Sequence, residues 1–262
     1  MKAITTYLED LTEFAEARAS LGRGKNVSLS GCVDSQKIHS IYYLGDGFKQ
    51  KVIATFSENR VKEICEDCKF YDRNVISFPA KDYVFFQADI RGQELTRERL
   101  KAYRKILEGG SFTLVTTFDA FMAPTIPLKE LAEHRIFLDH DGVVEEQALA
   151  IKLVSLGYEK TYQVEEPGQF SIRGGIIDIF DLTEENPYRI ELWGDEVESI
   201  RSFDVLSQRS IEELDRVVIY PATELVLAGS RKKDGLKRIE EETNKTAKKL
   251  KGLFQTEEAQ AI

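Results

Sequence analysis

Residues 168–180 read Gly-Gln-Phe-Ser-Ile-Arg-Gly-Gly-Ile-Ile-Asp-Ile-Phe, and residues 187–204 read Pro-Tyr-Arg-Ile-Glu-Leu-Trp-Gly-Asp-Glu-Val-Glu-Ser-Ile-Arg-Ser-Phe-Asp. Apolar and polar residues alternate in both segments, which is typical of β-strands with one buried face. The predicted strands span residues 161–164, 170–181, 188–193 and 197–204. Gly194-Asp195-Glu196 is expected to join the last two as a tight hairpin turn. This part of the chain is therefore predicted to be an α+β domain built on an antiparallel meander.

The preceding part of the chain alternates between helical and strand-like patterns. Helices are predicted at residues 4–20, 38–44, 58–69 and 96–107, and strands at residues 27–30, 51–56, 75–78 and 112–117. Such alternation indicates βαβ units around a buried parallel sheet. Pro124 and Pro127 mark a boundary, after which a strand at 135–138 and a helix at 144–156 lead into the meander. A last strand at 217–220 precedes a Lys/Glu-rich helix at 235–251.

Composition narrows the classes of function. The formal net charge is -9 and the pI is about 5.1, so the surface as a whole repels phosphate backbones, and general duplex binding is not expected. No apolar run is long enough to cross a bilayer and the N-terminus has no signal-peptide core, so a cytoplasmic protein without a membrane partner is expected. Cys65 and Cys68 have the spacing of half a zinc site, but no second pair follows, and two reduced thiols without metal are predicted.

Residues 31–38 read Gly-Cys-Val-Asp-Ser-Gln-Lys-Ile and follow the first predicted strand, where a P-loop has the pattern G-x-x-x-x-G-K-[ST]. Gly31 and Lys37 match that pattern. Gln36 puts a side chain where the loop needs glycine, Asp34 adds a negative charge near the phosphates, and Ile38 cannot ligate magnesium. The prediction is a P-loop NTPase-like α/β domain with a degenerate nucleotide site and no catalysis; the alternative is a chance match.

Residues 168–180 and 187–209 closely resemble the bacterial transcription-repair coupling factor family (Mfd), and residues 94–117 are similar to it as well. The first two segments also resemble, less closely, domain 2 of the excision-repair protein UvrB. The resemblance implies three parts: domain 1a at 1–127 without an ATPase, an inserted α+β domain 2 at 128–221, and the start of domain 1b at 222–262, where the chain is expected to be truncated.

The same resemblance implies a function for the module. Members of the family are ATP-driven DNA translocases that displace RNA polymerase stalled at a lesion and recruit the nucleotide-excision machinery. It implies that the motor, with its ATP and Mg, and the contacts with RNA polymerase and DNA lie outside this chain. Domain 2 is expected to bind UvrA, and no cofactor is expected in the present chain.

Candidate contact residues follow from the strand at 188–193. Its alternation places Arg189, Glu191 and Trp193 on one face, and arginine and tryptophan are enriched in interface hot spots. Arg173 is expected to join this face from the neighbouring strand, where Gly174-Gly175 permits a bulge. The family resemblance assigns UvrA contact to Arg173, Arg189 and Trp193.

Glu191 and Arg201 are weaker candidates for UvrA contact, as charges at the rim of the surface. The alternatives are solvated arginines paired with acids and a tryptophan in the core. Two further functions stay open: a UvrB-like ATPase, and a DNA-binding module that uses the basic residues at 231–233 and 248–251. Interspersed glutamates favour a solvated helix face over the second of these.

Overall fold

The computed structural model describes residues 6–81, 90–226 and 229–252. The predicted helix start at residues 4 and 5 and the C-terminal residues 253–262 lie outside the described part of the chain. The contacts divide the chain into two compact units, residues 1–224 and residues 225–262.

The first part of the larger unit alternates helices with parallel strands. After a 3-10 turn at Thr6–Leu8, its elements are α1 (Thr12–Gly22), α2 (Asp34–Leu44), β1 (Gln50–Thr55), α3 (Glu58–Lys69), β2 (Val75–Phe78), α4 (Ile90–Glu108), β3 (Phe112–Thr117), α5 (Phe118–Met122) and α6 (Leu128–Glu133). The three strands form a parallel sheet in the order β1-β3-β2. The predicted parallel sheet is therefore confirmed.

Strand β3 lies in the centre of this sheet and is buried on both faces. Successive side chains of a strand point to opposite faces, so Leu114 and Val115 enter two different clusters. Leu114 packs in a cluster with Leu100 of α4, and Val115 packs in one with Ile38 of α2 and Val61 of α3. Helices thus cover both faces, as a parallel sheet requires.

The second part of the larger unit is mainly antiparallel. Its elements are β4 (Ile136–Asp139), α7 (Glu146–Ser155), β5 (Glu159–Lys160), β6 (Gln169–Arg173), β7 (Ile176–Ile179), β8 (Tyr188–Trp193), β9 (Glu196–Phe203), β10 (Ser210–Glu213) and β11 (Arg216–Ile219). Six strands form a sheet in the order β10-β9-β8-β7-β6-β5, in which only β5 and β6 run parallel. Strands β4 and β11 form a separate antiparallel pair. The predicted meander is confirmed.

The predicted strand at residues 27–30 is wrong, because residues 25–30 have no strand structure and the first strand of the sheet is β1. A strand needs a neighbour for its backbone groups. This segment instead contributes Val27 and Leu29 to an apolar depression beside Lys51 and Val52. The loop at 31–38 therefore follows an extended segment and not a strand.

Three predictions in the meander also need correction. Residues 161–164 are not a strand, and the short pairing lies at β5. The single strand predicted at 170–181 is two strands, β6 and β7, since Gly174 and Gly175 have φ angles of 54° and 83° and form a turn, not a bulge. Positive φ at both central residues is the signature of a type I′ hairpin turn. Strand β10 was missed because all four of its residues are exposed and lack alternation.

The smaller unit contains helix α8 (Gly229–Gly252), which is longer than the predicted helix at 235–251. Leu236 and Ile239 are exposed on it. Within the described ranges, no helix is both long enough and apolar enough for a membrane span.

Candidate protein-binding surface

One face of the six-stranded sheet carries charged residues in register. Ser171, Asp178, Arg189 and Arg201 pair in sequence across β6, β7, β8 and β9. A second row on the same face consists of Arg173, Ile176, Glu191 and Ser199. We call these eight residues, together with Trp193, the polar face. The opposite side of the sheet carries Ile177, Ile190 and Ile200, which are all fully buried. Alternation along each strand therefore places apolar side chains in the core and charged side chains on the polar face.

Asp178 lies at the centre of the polar face and is only 1% exposed. Arg189 donates two hydrogen bonds to its carboxylate, from Nε to Oδ1 at 2.7 Å and from Nη2 to Oδ2 at 2.9 Å. Arg173 donates a third, from Nη2 to Oδ2 at 3.0 Å. The hydrogen bond to Asp178 raises the pKa of Arg189, because it favours the charged guanidinium. The two predicted arginines therefore meet on one buried carboxylate.

Each arginine also contacts an aromatic ring. The guanidinium carbon of Arg189 lies 4.3 Å from the centre of the buried Phe203 ring, and Arg189 Nη2 donates to Gln208 Oε1 at 2.9 Å. The guanidinium carbon of Arg173 lies 5.5 Å from the ring of Tyr162, which is exposed. Stacking of this kind fixes the plane of a guanidinium group. Arg189 is thus held from several sides and Arg173 from fewer.

Arg201 and Glu191 form a separate ion pair beside the first cluster. Ser199 Oγ donates to the other carboxylate oxygen of Glu191 at 3.0 Å. Both charged side chains are about one third exposed, so this pair contributes little to stability. Their position agrees with the predicted role as rim charges, which stays a prediction.

Trp193 is 79% exposed at the end of β8. The pairing of β8 with β9 shifts between Glu191 and Leu192, and Trp193 then pairs with Glu196 next to the turn at Gly194. A core position for this tryptophan, the alternative left open by the sequence, is therefore excluded. A large exposed indole on a strand that also carries an arginine is typical of protein interfaces.

The sequence did not identify Asp178, Tyr162 or Gln208 as parts of this surface. For Asp178 a signal was present, since it is a single carboxylate within the apolar run Ile176–Ile179. A buried carboxylate in such a run needs a cationic partner. No comparable signal marked Tyr162 or Gln208, because their positions depend on how two loops fold onto the sheet.

The P-loop-like segment leads directly into helix α2. Gly31 has a φ of 82° and Asp34 a φ of 34°, and α2 begins at Asp34. Gln36 Oε1 accepts a hydrogen bond from the backbone N–H of Val33 at 3.3 Å, a donor of the kind that a P-loop offers to phosphate. Ile38 is buried in the core, so apolar packing is its structural role. Lys37 is exposed.

The carboxyl ends of the parallel strands, where α/β proteins usually bind nucleotides, are joined by Glu58. This residue follows β1, and its Oε1 accepts from the backbone N–H of Ala80 after β2 at 3.0 Å and from Thr117 Oγ1 at the end of β3 at 3.4 Å. Glu58, Lys62, Lys81, Glu94 and Glu98 line a cavity of about 530 Å³ at this edge. A carboxylate in this place repels phosphate.

The two cysteines of helix α3 are partly or fully buried. Burial raises the pKa of the Cys65 and Cys68 thiols to about 11, so both thiols are protonated at neutral pH. Among the residues that the structure describes, no group of three or more His, Cys, Asp or Glu side chains is placed to hold a metal ion.

Comparisons with known proteins place the polar face within a recognised family domain. Residues 136–225 match the family described as the UvrB interaction domain, a range that includes all strands from β4 to β11. The chain is 32% identical over 263 residues to the transcription-repair-coupling factor of Bacillus subtilis (strain 168), which covers 98% of this chain and 22% of that protein.

Two other relatives also match most of this chain over only a part of their own length. A transcription-repair-coupling factor of Staphylococcus epidermidis (strain ATCC 35984) is 30% identical over 86% of this chain and 19% of its own length. The UvrABC system protein B of Kosmotoga olearia is 32% identical over 79% of this chain and 31% of its own length. The chain thus spans about a fifth of the transcription-repair-coupling factors that it matches and about a third of the UvrABC system protein B.

Proposed function

Since this chain belongs to the family of the transcription-repair-coupling factors and contains a UvrB interaction domain, we propose that it is a non-catalytic module that binds the excision-repair protein UvrA. The observation that carries the proposal is the exposed indole of Trp193 on the same sheet face as the paired Arg173 and Arg189. The family domain covers all three residues.

The chemistry of the polar face supports a protein partner. Three arginines and two carboxylates leave this face with a surplus of one positive charge, although the chain as a whole carries a net charge of -9. A local positive patch on an acidic protein favours a partner that presents carboxylates. Trp193 adds apolar area, which is where most of the binding free energy of an interface is gained.

We propose that this binding brings UvrA to RNA polymerase stalled at a DNA lesion. In a coupling factor, contact with the polymerase, movement along DNA and ATP hydrolysis with magnesium would be functions of other regions, since this chain spans about a fifth of such a protein. The degenerate nucleotide site belongs to the same proposal. Gln36, Ile38 and the Glu58 carboxylate support it, because each replaces or opposes a group that holds a triphosphate.

A binding titration with purified UvrA tests the proposed function. We expect the Trp193→Ala variant to bind UvrA at least about thirtyfold more weakly, the equivalent of roughly 2 kcal/mol for a hot-spot tryptophan. Its midpoint of unfolding should not change, because the side chain is exposed in the free chain.

The matched control is Ile151→Ala, which removes a similarly exposed apolar side chain from helix α7, outside the polar face. This variant should bind UvrA as the unaltered chain does. If the unaltered chain shows no saturable binding of UvrA, or if both variants lose affinity equally, the proposed function is wrong.

A further inference from the structure

We propose that Asp178 is the positioning residue of the UvrA-binding surface: its buried carboxylate holds Arg173 and Arg189 in the orientation that the partner engages. This inference rests on the proposed function and adds to it a residue that has no exposed surface to offer a partner. Asp178 acts through the two arginines and not by contact.

The first argument is the free-energy cost of burying the charged Asp178 carboxylate. Asp178 is 1% exposed and lies between Ile177 and Ile179, which are completely buried. A buried ion without a partner costs several kcal/mol, so the folded chain must keep cations against it. The two guanidinium groups supply that charge, with donor–acceptor distances from 2.7 to 3.0 Å. Their positions are therefore enforced by the stability of the sheet.

The second argument is that the two arginines are held unequally. The Arg189 side chain is 16% exposed, makes two bonds to Asp178, and is fixed further by Gln208 and Phe203. The Arg173 side chain is 35% exposed and makes a single hydrogen bond to Asp178 within the described residues. Because a guanidinium has five N–H donors, Arg173 keeps donors directed away from Asp178 for a carboxylate of the partner.

The third argument is entropic. Immobilising a long side chain at an interface costs conformational entropy, and a side chain that is already held in the free protein avoids most of that cost. The Gln208 side chain is itself anchored, since its Nε2 donates to the Val205 carbonyl at 2.8 Å. Asp178 and Gln208 together thus keep Arg189 in one conformation before UvrA arrives.

A purely electrostatic role of Asp178 and a positioning role predict opposite changes in UvrA affinity for the Asp178→Asn variant. Replacing Asp178 with asparagine removes a negative charge from under the arginines, so a purely electrostatic role of the surface predicts tighter binding to an acidic partner. The positioning role predicts weaker binding, because the neutral amide no longer holds two cations. The matched control is Glu185→Gln, which makes the same change of charge at an exposed carboxylate that also pairs with two cations, Arg97 and Lys101, outside the polar face.

The experiment is a titration of purified UvrA against the unaltered chain and the Asp178→Asn, Glu185→Gln and Gln208→Ala variants, at a temperature well below each midpoint of unfolding. We expect Asp178→Asn to bind about tenfold more weakly, which corresponds to roughly 1.4 kcal/mol. Glu185→Gln should bind with unchanged affinity. Should Asp178→Asn fail to fold, Gln208→Ala tests the same idea from the loop side, with an expected loss of about threefold.

The outcomes distinguish this inference from the proposed function. If UvrA binds the unaltered chain and Trp193→Ala weakens that binding, but Asp178→Asn and Gln208→Ala bind as tightly as the unaltered chain, the positioning role is overturned and the proposed function stands. A parallel loss in Asp178→Asn and Glu185→Gln also overturns it, since loss of a carboxylate would then weaken binding regardless of its place. Failure of the unaltered chain to bind UvrA overturns both.

Discussion

Arg99 shows at the scale of single residues how this chain tolerates a buried charge. Its side chain is completely buried, and its Nε donates to Glu224 Oε1 at 2.7 Å while Nη1 donates to the carbonyl oxygen of Pro79 at 2.6 Å. The guanidinium carbon also lies 4.0 Å from the centre of the Phe78 ring. Lys81 Nζ reaches the second carboxylate oxygen of Glu224 at 3.1 Å. These contacts tie helix α4 to the segment that follows β11.

The Glu224→Ala substitution should be strongly destabilising, because it leaves the Arg99 charge buried without its carboxylate. We expect a loss of about 3–5 kcal/mol in the free energy of unfolding, measured by urea denaturation. The matched control is Glu185→Ala, since Glu185 pairs with Arg97 and Lys101 but its side chain is 75% exposed. That variant should lose less than about 1 kcal/mol. Equal losses would show that burial of the Arg99–Glu224 ion pair does not increase the destabilisation caused by removing its carboxylate.

At the scale of elements, the hairpin between β6 and β7 determines where Arg173 lies. Arg173 pairs with Ile176 across the two-glycine turn, so the strand register set by that turn determines which face of the sheet the Arg173 side chain occupies. Gly175 also approaches strand β8, and its carbonyl accepts from the N–H of Leu192 at 2.8 Å. A side chain at residue 175 would place its Cβ 3.2 Å from the Leu192 carbonyl oxygen.

The Gly175→Ala variant should lose about 2–3 kcal/mol of stability, because the positive φ and the close approach to Leu192 both oppose a Cβ. The control is Gly194→Ala in the turn between β8 and β9, where φ is also positive at 64° but no atom lies within 4 Å of the added Cβ. That variant should lose only about 1–2 kcal/mol. Urea denaturation measures both. If the two losses are equal, the approach of Gly175 to β8 has no energetic consequence.

At the scale of the whole molecule, the parallel sheet has helices on both faces and a carboxylate at the carboxyl ends of its strands. Glu58 links the carboxyl ends of all three strands, and Ile38 is part of the core beneath the loop. Restoring single P-loop residues would therefore leave the carboxylate in place. Substituting Ile38 with serine would also remove apolar packing from α2.

We predict that ATP binds this chain with a dissociation constant above about 1 mM, with or without magnesium, since repulsion by a carboxylate and the missing magnesium ligand each cost on the order of a tenfold loss. A titration with a fluorescent ATP analogue measures this, and a UvrABC system protein B serves as the positive control. The double variant Gln36→Gly/Ile38→Ser should remain without binding. Micromolar affinity in the unaltered chain would contradict the interpretation of the site as degenerate.

Much of the architecture could be predicted from local patterns. The alternation along residues 188–193 correctly placed Tyr188 and Ile190 in the core and Arg189 and Trp193 on the opposite face, because a strand repeats every two residues whatever it pairs with. The helix predicted at residues 58–69 and the strand at 75–78 have the bounds that the structure shows. The amphipathic pattern of the helix and the apolar pattern of the strand involve only residues close together in sequence, so both can be recognised without the fold.

Errors arose where structure depends on distant partners. Residues 27–30 have the composition of a strand, yet no neighbouring strand that the structure describes pairs with them. The Gly174-Gly175 pair is compatible with a bulge or a turn, and only the contact of Gly175 with β8 distinguishes the two. The contacts that define the sites are long-range in the same sense. Arg189 contacts Asp178 on the neighbouring strand and Gln208 in a loop, and Glu58 joins residues 22 and 59 positions away.

The amino-acid sequence by itself determined the layers and the strand face that carries Arg189, Glu191 and Trp193, because periodicity and residue type act locally. Only the tertiary structure decided that Trp193 is exposed, that both arginines share the buried Asp178 carboxylate and that a glutamate joins the carboxyl ends of the parallel strands. The physical reason is that hydrogen bonds and ion pairs act over about 3 Å, and which distant residues come within that distance is settled only when the sheets are assembled.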